Sequence, residues 1–150
     1  MIKIICIGKL KETYLKEAIE EYKKRLSKYT IIEIIELMDE NFDKEKTLLV
    51  EYQKIAKQIK EKDYVITLEI EGKEMTSTEL ATKMDQIFIE NSNIVFVIGG
   101  SFGLSNKIKE RSNLALSFSK MTFPHQLFRV MLLEQIYRSF KINNNETYHK

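Results

Sequence analysis

The sequence predicts an α/β fold with a mostly parallel sheet flanked by helices. Short β-branched runs alternate along the chain with longer segments whose apolar residues recur at helical spacing. Three of the five glycines gather directly behind one apolar run, where an open α/β sheet places its ligand loops. The length of 150 residues fits one compact domain over residues 1–150. A chain this long buries roughly two thirds of its unfolded surface without needing disulfides or a structural metal.

The elements follow in order. Ile2–Ile7 reads as a strand ending at Gly8. Lys11–Ser27 reads as a helix, because Leu15, Ile19, Tyr22 and Leu26 share one face. Tyr29–Met38 is Ile-rich and strand-like. Asp43–Lys60 is helical in pattern, with Tyr52, Ile55 and Ile59 on one side. Tyr64–Ile70 is a third strand, closed by a turn at Glu71-Gly72-Lys73. Thr76–Glu90 predicts a helix, with Thr76 or Ser77 able to cap it and Glu79 placed to complete a capping box. Ile94–Ile98 is a strand leading into Gly99-Gly100-Ser101-Phe102-Gly103. A short helix near Asn106–Ser112 and a short strand near Leu114–Phe118 come next. The last helix starts at Pro124, which suits a first helical turn, and runs to about Ile142.

Hydrophobic residues at 43% and charged residues at 31% give a globular balance and argue against disorder. Cys6 is the only cysteine, so no internal disulfide forms and a cytoplasmic address is expected. The N-terminal apolar run is too short for a secretion signal, and no stretch approaches the ~18 apolar residues of a membrane span. The formal net charge is +2, but it is unevenly spread. Residues 101–150 hold 8 Lys/Arg against 3 Asp/Glu, whereas residues 1–100 hold 16 against 19. A basic zone on an acidic body suits a polyanionic ligand; a solvated charged face accounts for it equally.

The glycine cluster lets the backbone turn sharply and lets a flat ligand approach. A tight strand-to-helix turn explains it as well. No Gly-Lys-Ser/Thr follows and the full G-x-G-x-x-G is missing, so neither a P-loop nor a dinucleotide fingerprint is present. His125 and Arg129 lie four apart near a helix N-terminus, where they could meet a phosphate; a capping or packed imidazole is the plainer reading of His125. Val130, Leu133, Tyr137 and Phe140 form one apolar stripe, and Met131, Leu132 and Ile136 make the other faces apolar too. Such a helix is buried, in the core or against another subunit. Glu134 and Arg138 have the spacing of an ion pair. The tail Tyr148-His149-Lys150 could stack on and pair with RNA, or lie frayed.

Together these blocks resemble a known family. Ile7-Gly8-Lys9-Leu10-Lys11, Thr67-Leu68-Glu69-Ile70-Glu71-Gly72-Lys73, Phe96 through Leu104, Leu116 through His125, and the ending Glu134, Tyr137-Arg138 and Tyr148-His149-Lys150 carry the likeness. In that order and over the whole length, the chain is similar to the ribosomal RNA large-subunit methyltransferase H family of the SPOUT class. The segment Asn41–Leu49 is shorter than the family pattern, at what should be a surface loop.

The resemblance implies a C-terminal trefoil knot, S-adenosylmethionine as cofactor, and a homodimer with the cofactor site near the subunit interface. It implies methylation of N3 of a pseudouridine, the position-1915 site, in 23S rRNA of the assembled ribosome. Cofactor contacts carry over to Leu68, Gly99, Gly100 and the segment Ser119, Lys120, Met121, Thr122, Phe123, Pro124. RNA contacts carry over to His125, Arg129, Arg138, Tyr148 and His149, and catalytic roles to His125, Arg129 and His149. The expected partners are a second copy of the chain and the ribosome, with neither a membrane nor DNA. The expected reaction is an in-line displacement in which positioning supplies most of the acceleration. It needs no metal, and the sequence lacks metal-ligand spacings. The proton on N3 calls for a base, and the residues leave His125 and His149 both open. Two further readings of the same fold stand beside this one. One is a non-catalytic ribosome- or RNA-binding factor that would not bind S-adenosylmethionine. The other is an enzyme on a small molecule, which would turn over without ribosomes.

Overall fold

Ile2–Ile7 and Ile94–Ile98 form central strands covered on both faces, which is why their runs are almost continuously apolar. The computed structural model describes residues 1–150. The elements are β1 (Ile2–Ile7), α1 (Thr13–Leu26), β2 (Ile32–Leu37), α2 (Lys44–Ala56), β3 (Tyr64–Glu74), α3 (Ser77–Glu90), β4 (Ile94–Ile98), α4 (Asn106–Arg111), β5 (Leu114–Ser117) and α5 (His125–Asn143). The five strands form one sheet in the order β2-β1-β4-β3-β5, and every pairing is parallel. β1 lies between β2 and β4, with Ile4 opposite both Ile34 and Phe96.

Strand alternation splits the core into two layers. Ile2, Ile4, Cys6, Ile66, Ile94, Phe96 and Leu116 face α1, α3 and α5, where Leu15, Ile19, Met84, Leu132, Leu133 and Ile136 meet them. Ile5, Ile7, Val65, Val95 and Val97 face α2 and α4, against Ile55 and Ile108. Burying a side chain such as Phe96 stabilises the fold by roughly 1.5–3 kcal/mol. Cys6 sits wholly inside the first layer, and burial pushes its thiol up to about 12. The thiolate that would react is therefore scarce at neutral pH.

Side-chain caps set the starts of α2, α3 and α4. Thr76 and Glu79 form the expected capping box, with the Glu79 N–H donating to Thr76 Oγ1 at 3.1 Å and the Thr76 N–H to Glu79 Oε1 at 3.0 Å. Asp43 caps α2 by accepting from the Lys46 N–H at 2.9 Å, so Asn41–Leu49 carries a cap and a helix start rather than a free loop. No helix is long and apolar enough to cross a membrane.

One expectation fails at the end of the third strand. The chain does not turn at Glu71-Gly72-Lys73; β3 runs on to Glu74 and pairs again with β5 after a register shift between Leu68 and Lys73. Gly72 is needed at that irregularity because a Cβ there would lie 2.8 Å from the backbone of Ala115. What reads as a turn residue is a site of close strand approach.

Candidate functional site

A cleft of about 550 Å³ opens at the carboxyl ends of β3, β4 and β5. That size is in the range of small-molecule and cofactor sites, and the position is the one an open α/β sheet favours. Its floor is Leu68, Ile98 and Leu116. One wall is the glycine turn, and the other is the segment after β5 together with the first turn of α5.

The glycine turn is held by the Gly103 N–H donating to the Gly100 carbonyl at 3.0 Å, with Gly103 at φ +77. A Cβ at Gly99 would fall 2.5 Å from the Gly103 carbonyl oxygen, and one at Gly100 would fall 2.9 Å from Ile7 Cγ2. The turn itself therefore demands both glycines. Gly99 and Gly100 also line the cleft and present backbone to it.

The opposite wall is aromatic. The Phe118 and Phe128 rings pack at 4.8 Å between centroids, and Phe123 stacks on Phe128 at 6.0 Å. The intervening loop is folded on itself by short polar links. Ser117 Oγ donates to the Ser119 carbonyl at 3.1 Å, and the Met121 N–H donates to Ser119 Oγ at 3.0 Å. Leu68, Gly99, Gly100, Ser119, Met121, Thr122, Phe123 and His125 thus all border one cleft. Lys120 and Pro124 do not line it; both are exposed, and Pro124 instead precedes the first turn of α5.

Three charged residues in the cleft, Glu69, Glu71 and Lys109, lie outside the sequence expectation. Glu69 Oε2 accepts from the Thr67 hydroxyl at 2.6 Å, and Glu69 Oε1 lies 3.8 Å from Lys109 Nζ. Strand alternation sends Glu69 to the α4 side, and that register could have been read from the sequence.

Arg129 requires a correction. Helical spacing does place it one turn from His125, but the side chain is buried and turns inward. Its Nη1 lies 2.6 Å from Glu36 Oε2, and its Nη2 donates to the Gly8 carbonyl at 2.7 Å. The same Glu36 oxygen accepts from the Leu10 N–H at 2.6 Å. A guanidinium so enclosed has no face to offer RNA or a reacting group. It pins α5 to the ends of β1 and β2.

The C-terminal residues form a second constellation, on the outer part of α5. Glu134 Oε1 accepts from Arg138 Nη2 at 2.6 Å, from Arg138 Nε at 3.0 Å and from the Tyr148 hydroxyl at 3.2 Å. Arg138 lies over the Tyr148 ring at 4.8 Å, and Tyr148 packs edge-on against Tyr137 at 4.9 Å. The hydrogen bonds to Glu134 raise Arg138 above its ordinary range, while burial and then Glu134 raise the Tyr148 hydroxyl. Arg138 Nη1 lies 3.0 Å from His149 Nδ1. Arginine can only donate, so Nδ1 accepts there and the ring proton sits on Nε2. The tail is docked on α5. Glu134 also lines a smaller cavity of about 360 Å³ that shares Phe118 and Phe123 with the cleft.

A parallel five-stranded sheet, a cleft at its carboxyl ends and a folded loop leading into the last helix define the class. The chain belongs to the SPOUT methyltransferase family, whose model, described as "Predicted SPOUT methyltransferase", matches residues 1–149. It is 56% identical to a ribosomal RNA large subunit methyltransferase H from Clostridium botulinum (strain Eklund 17B), with 99% of each chain covered. It is 53% identical to the protein of the same name from Caldicellulosiruptor saccharolyticus, with 100% of both covered. Among solved structures, a probable methylase family protein from Haemophilus influenzae shares the fold at a TM-score of 0.58 and 15% identity, covering 99% of this chain and 70% of that one.

Proposed function

We propose that this chain methylates large-subunit ribosomal RNA, using S-adenosylmethionine held in the cleft at the ends of β3, β4 and β5. The observation that carries this reading is the convergence of the glycine turn, Leu68 and the Ser119–Phe123 loop on one cleft. The proteins it matches over their full lengths carry the rRNA methyltransferase name.

The residues present fit the cofactor. The cleft has room for a nucleoside, an aromatic and aliphatic lining for a purine, and backbone groups at Leu68, Gly99, Gly100 and the Ser119–Phe123 loop for its polar edge. When bound, S-adenosylmethionine supplies an activated methyl group on a sulfonium leaving group. The protein's own contribution is to orient acceptor and donor and to keep water away, which can be worth several kcal/mol.

The finer reading follows the family: N3 of a pseudouridine, the position-1915 site of 23S rRNA, on the assembled ribosome. N3 must lose a proton. His125 is exposed at the cleft rim, whereas the Nδ1 lone pair of His149 is taken by Arg138. His125 is therefore the base assigned here. Arg138, Tyr148 and His149 are assigned to the RNA as a preorganised unit built on Glu134. The site works in a homodimer, with the exposed Met121 and Leu127 near its seam and the C-terminal segment knotted, in the cytoplasm.

Methyl-labelled S-adenosylmethionine and ribosomes from cells lacking the protein test this. Label in large-subunit rRNA, mapped to one pseudouridine, is the expected result. Label on free rRNA alone overturns the assembled-ribosome substrate, and no label on any RNA despite cofactor binding overturns the activity.

A further inference from the structure

The charge of the cleft has the wrong sign for RNA. Its charged lining residues are Glu69, Glu71 and Lys109, with His125 at the rim, although the surrounding C-terminal third is basic. A carboxylate repels a polyanion, so Glu69 needs another explanation. Glu71 is exposed and screened by water, but the Glu69 side chain is only 17% exposed. It is also fixed, because its Oε2 accepts from the hydroxyl of the fully buried Thr67 at 2.6 Å. Its counter-charge is loose by comparison: Lys109 Nζ is 3.8 Å away on a side chain 44% exposed. A held anion faced by a movable cation is an arrangement that a cationic ligand can enter by displacing the lysine.

We propose that Glu69 is a specificity-determining residue that reads the positive charge of the cofactor and favours S-adenosylmethionine over its product, S-adenosylhomocysteine. The two ligands share adenosine and the amino-acid end and differ by one methyl group and one positive charge at sulfur. A neutral, apolar cleft would hold both about equally, so product would block the site. A partly buried carboxylate facing the bound sulfonium would separate them: opposite unit charges ~4 Å apart are worth up to about a thousandfold at the permittivity of a protein surface, and the cost of desolvating both charges cuts that to roughly tenfold. Lys109 tunes the effect by competing for the same carboxylate. This inference rests on the cofactor assignment above.

Calorimetric titration of the whole protein with both ligands tests it. The Glu69→Gln variant should lose about tenfold in affinity for S-adenosylmethionine and change by less than about twofold for S-adenosylhomocysteine. Lys109→Met should move the ratio the opposite way, strengthening S-adenosylmethionine alone. Sinefungin carries an amine in place of the sulfonium methyl, and it should follow S-adenosylmethionine in both variants. Equal weakening of all three ligands in Glu69→Gln would mean a packing role and overturn the proposal, as would a Lys109→Met ratio that stays still or falls. If the wild-type protein binds none of the three, the cofactor assignment itself fails and this inference falls with it.

Discussion

The guanidinium of Arg129, on α5, and the carboxylate of Glu36, on β2, meet at 2.6 Å across 93 residues of sequence. The pair is lopsided: the Arg129 side chain is 3% exposed and that of Glu36 is 35% exposed. Removing Glu36 strands a buried cation that already has an unpartnered Nε, whereas removing Arg129 leaves a carboxylate that water can reach. Glu36→Ala should therefore lose about 3 kcal/mol of folding stability, and Arg129→Met distinctly less. Urea denaturation measures both, and the reverse order would refute the account of this pair.

The glycine turn gives a second ordering. At Gly99 a Cβ meets backbone, which cannot give way, whereas at Gly100 it meets the Cγ2 methyl of Ile7, which can shift only with that buried side chain. Gly99→Ala should lose about 2 kcal/mol and most cofactor binding, with Gly100→Ala losing roughly half as much stability. Thermal unfolding with and without ligand checks this.

Glu51 lies beneath the same turn, buried, with its Oε2 accepting from the Glu40 N–H at 3.3 Å. Burial pushes its carboxyl above the ordinary range, partly opposed by the Glu40 N–H. A folded state that holds the proton more tightly loses stability as pH rises from the ordinary carboxylate value through the raised one. Glu51→Gln should therefore be more stable than wild type at about pH 7.5, with the advantage gone near about pH 4. Denaturation at the two pH values decides the matter.

On the proposed RNA assignment, deleting the docked tail should separate RNA contact from cofactor contact. Deleting Tyr148–Lys150 removes the edge-on packing against Tyr137 and the stacking under Arg138, about 1–2 kcal/mol together. The cleft itself is untouched. Cofactor affinity should stay within about twofold while methyl transfer to ribosomes falls by ~100-fold or more, because preorganised contacts to the acceptor are lost.

Much of this was legible in the sequence where local chemistry decides. Ile94–Ile98 ends where its apolar run ends, Thr76 and Glu79 cap α3 by their spacing, and Glu134 and Arg138 pair four apart. The misses are long-range. Gly72 resembles a turn residue until its neighbour Ala115 is known, and Arg129 resembles a surface cation until Gly8 and Glu36 arrive beneath it. Glu36 was the available hint, as a charge inside an Ile-rich strand. The cleft residues Glu69 and Lys109 are 40 positions apart, and only the β3–β5 pairing with α4 beside it brings them together.

The central claim is that the cofactor lies between the glycine turn and the Ser119–Phe123 loop, and the six methionines allow a direct reading of it. Met121 borders the cleft, Met75 and Met131 border the smaller cavity, Met84 is in the core and Met38 is exposed elsewhere. Methionine-methyl NMR during titration with S-adenosylmethionine should shift the Met121 resonance strongly and leave Met38 unmoved. Shifts at Met75 and Met131 with Met121 still would put the ligand in the smaller cavity and contradict the claim.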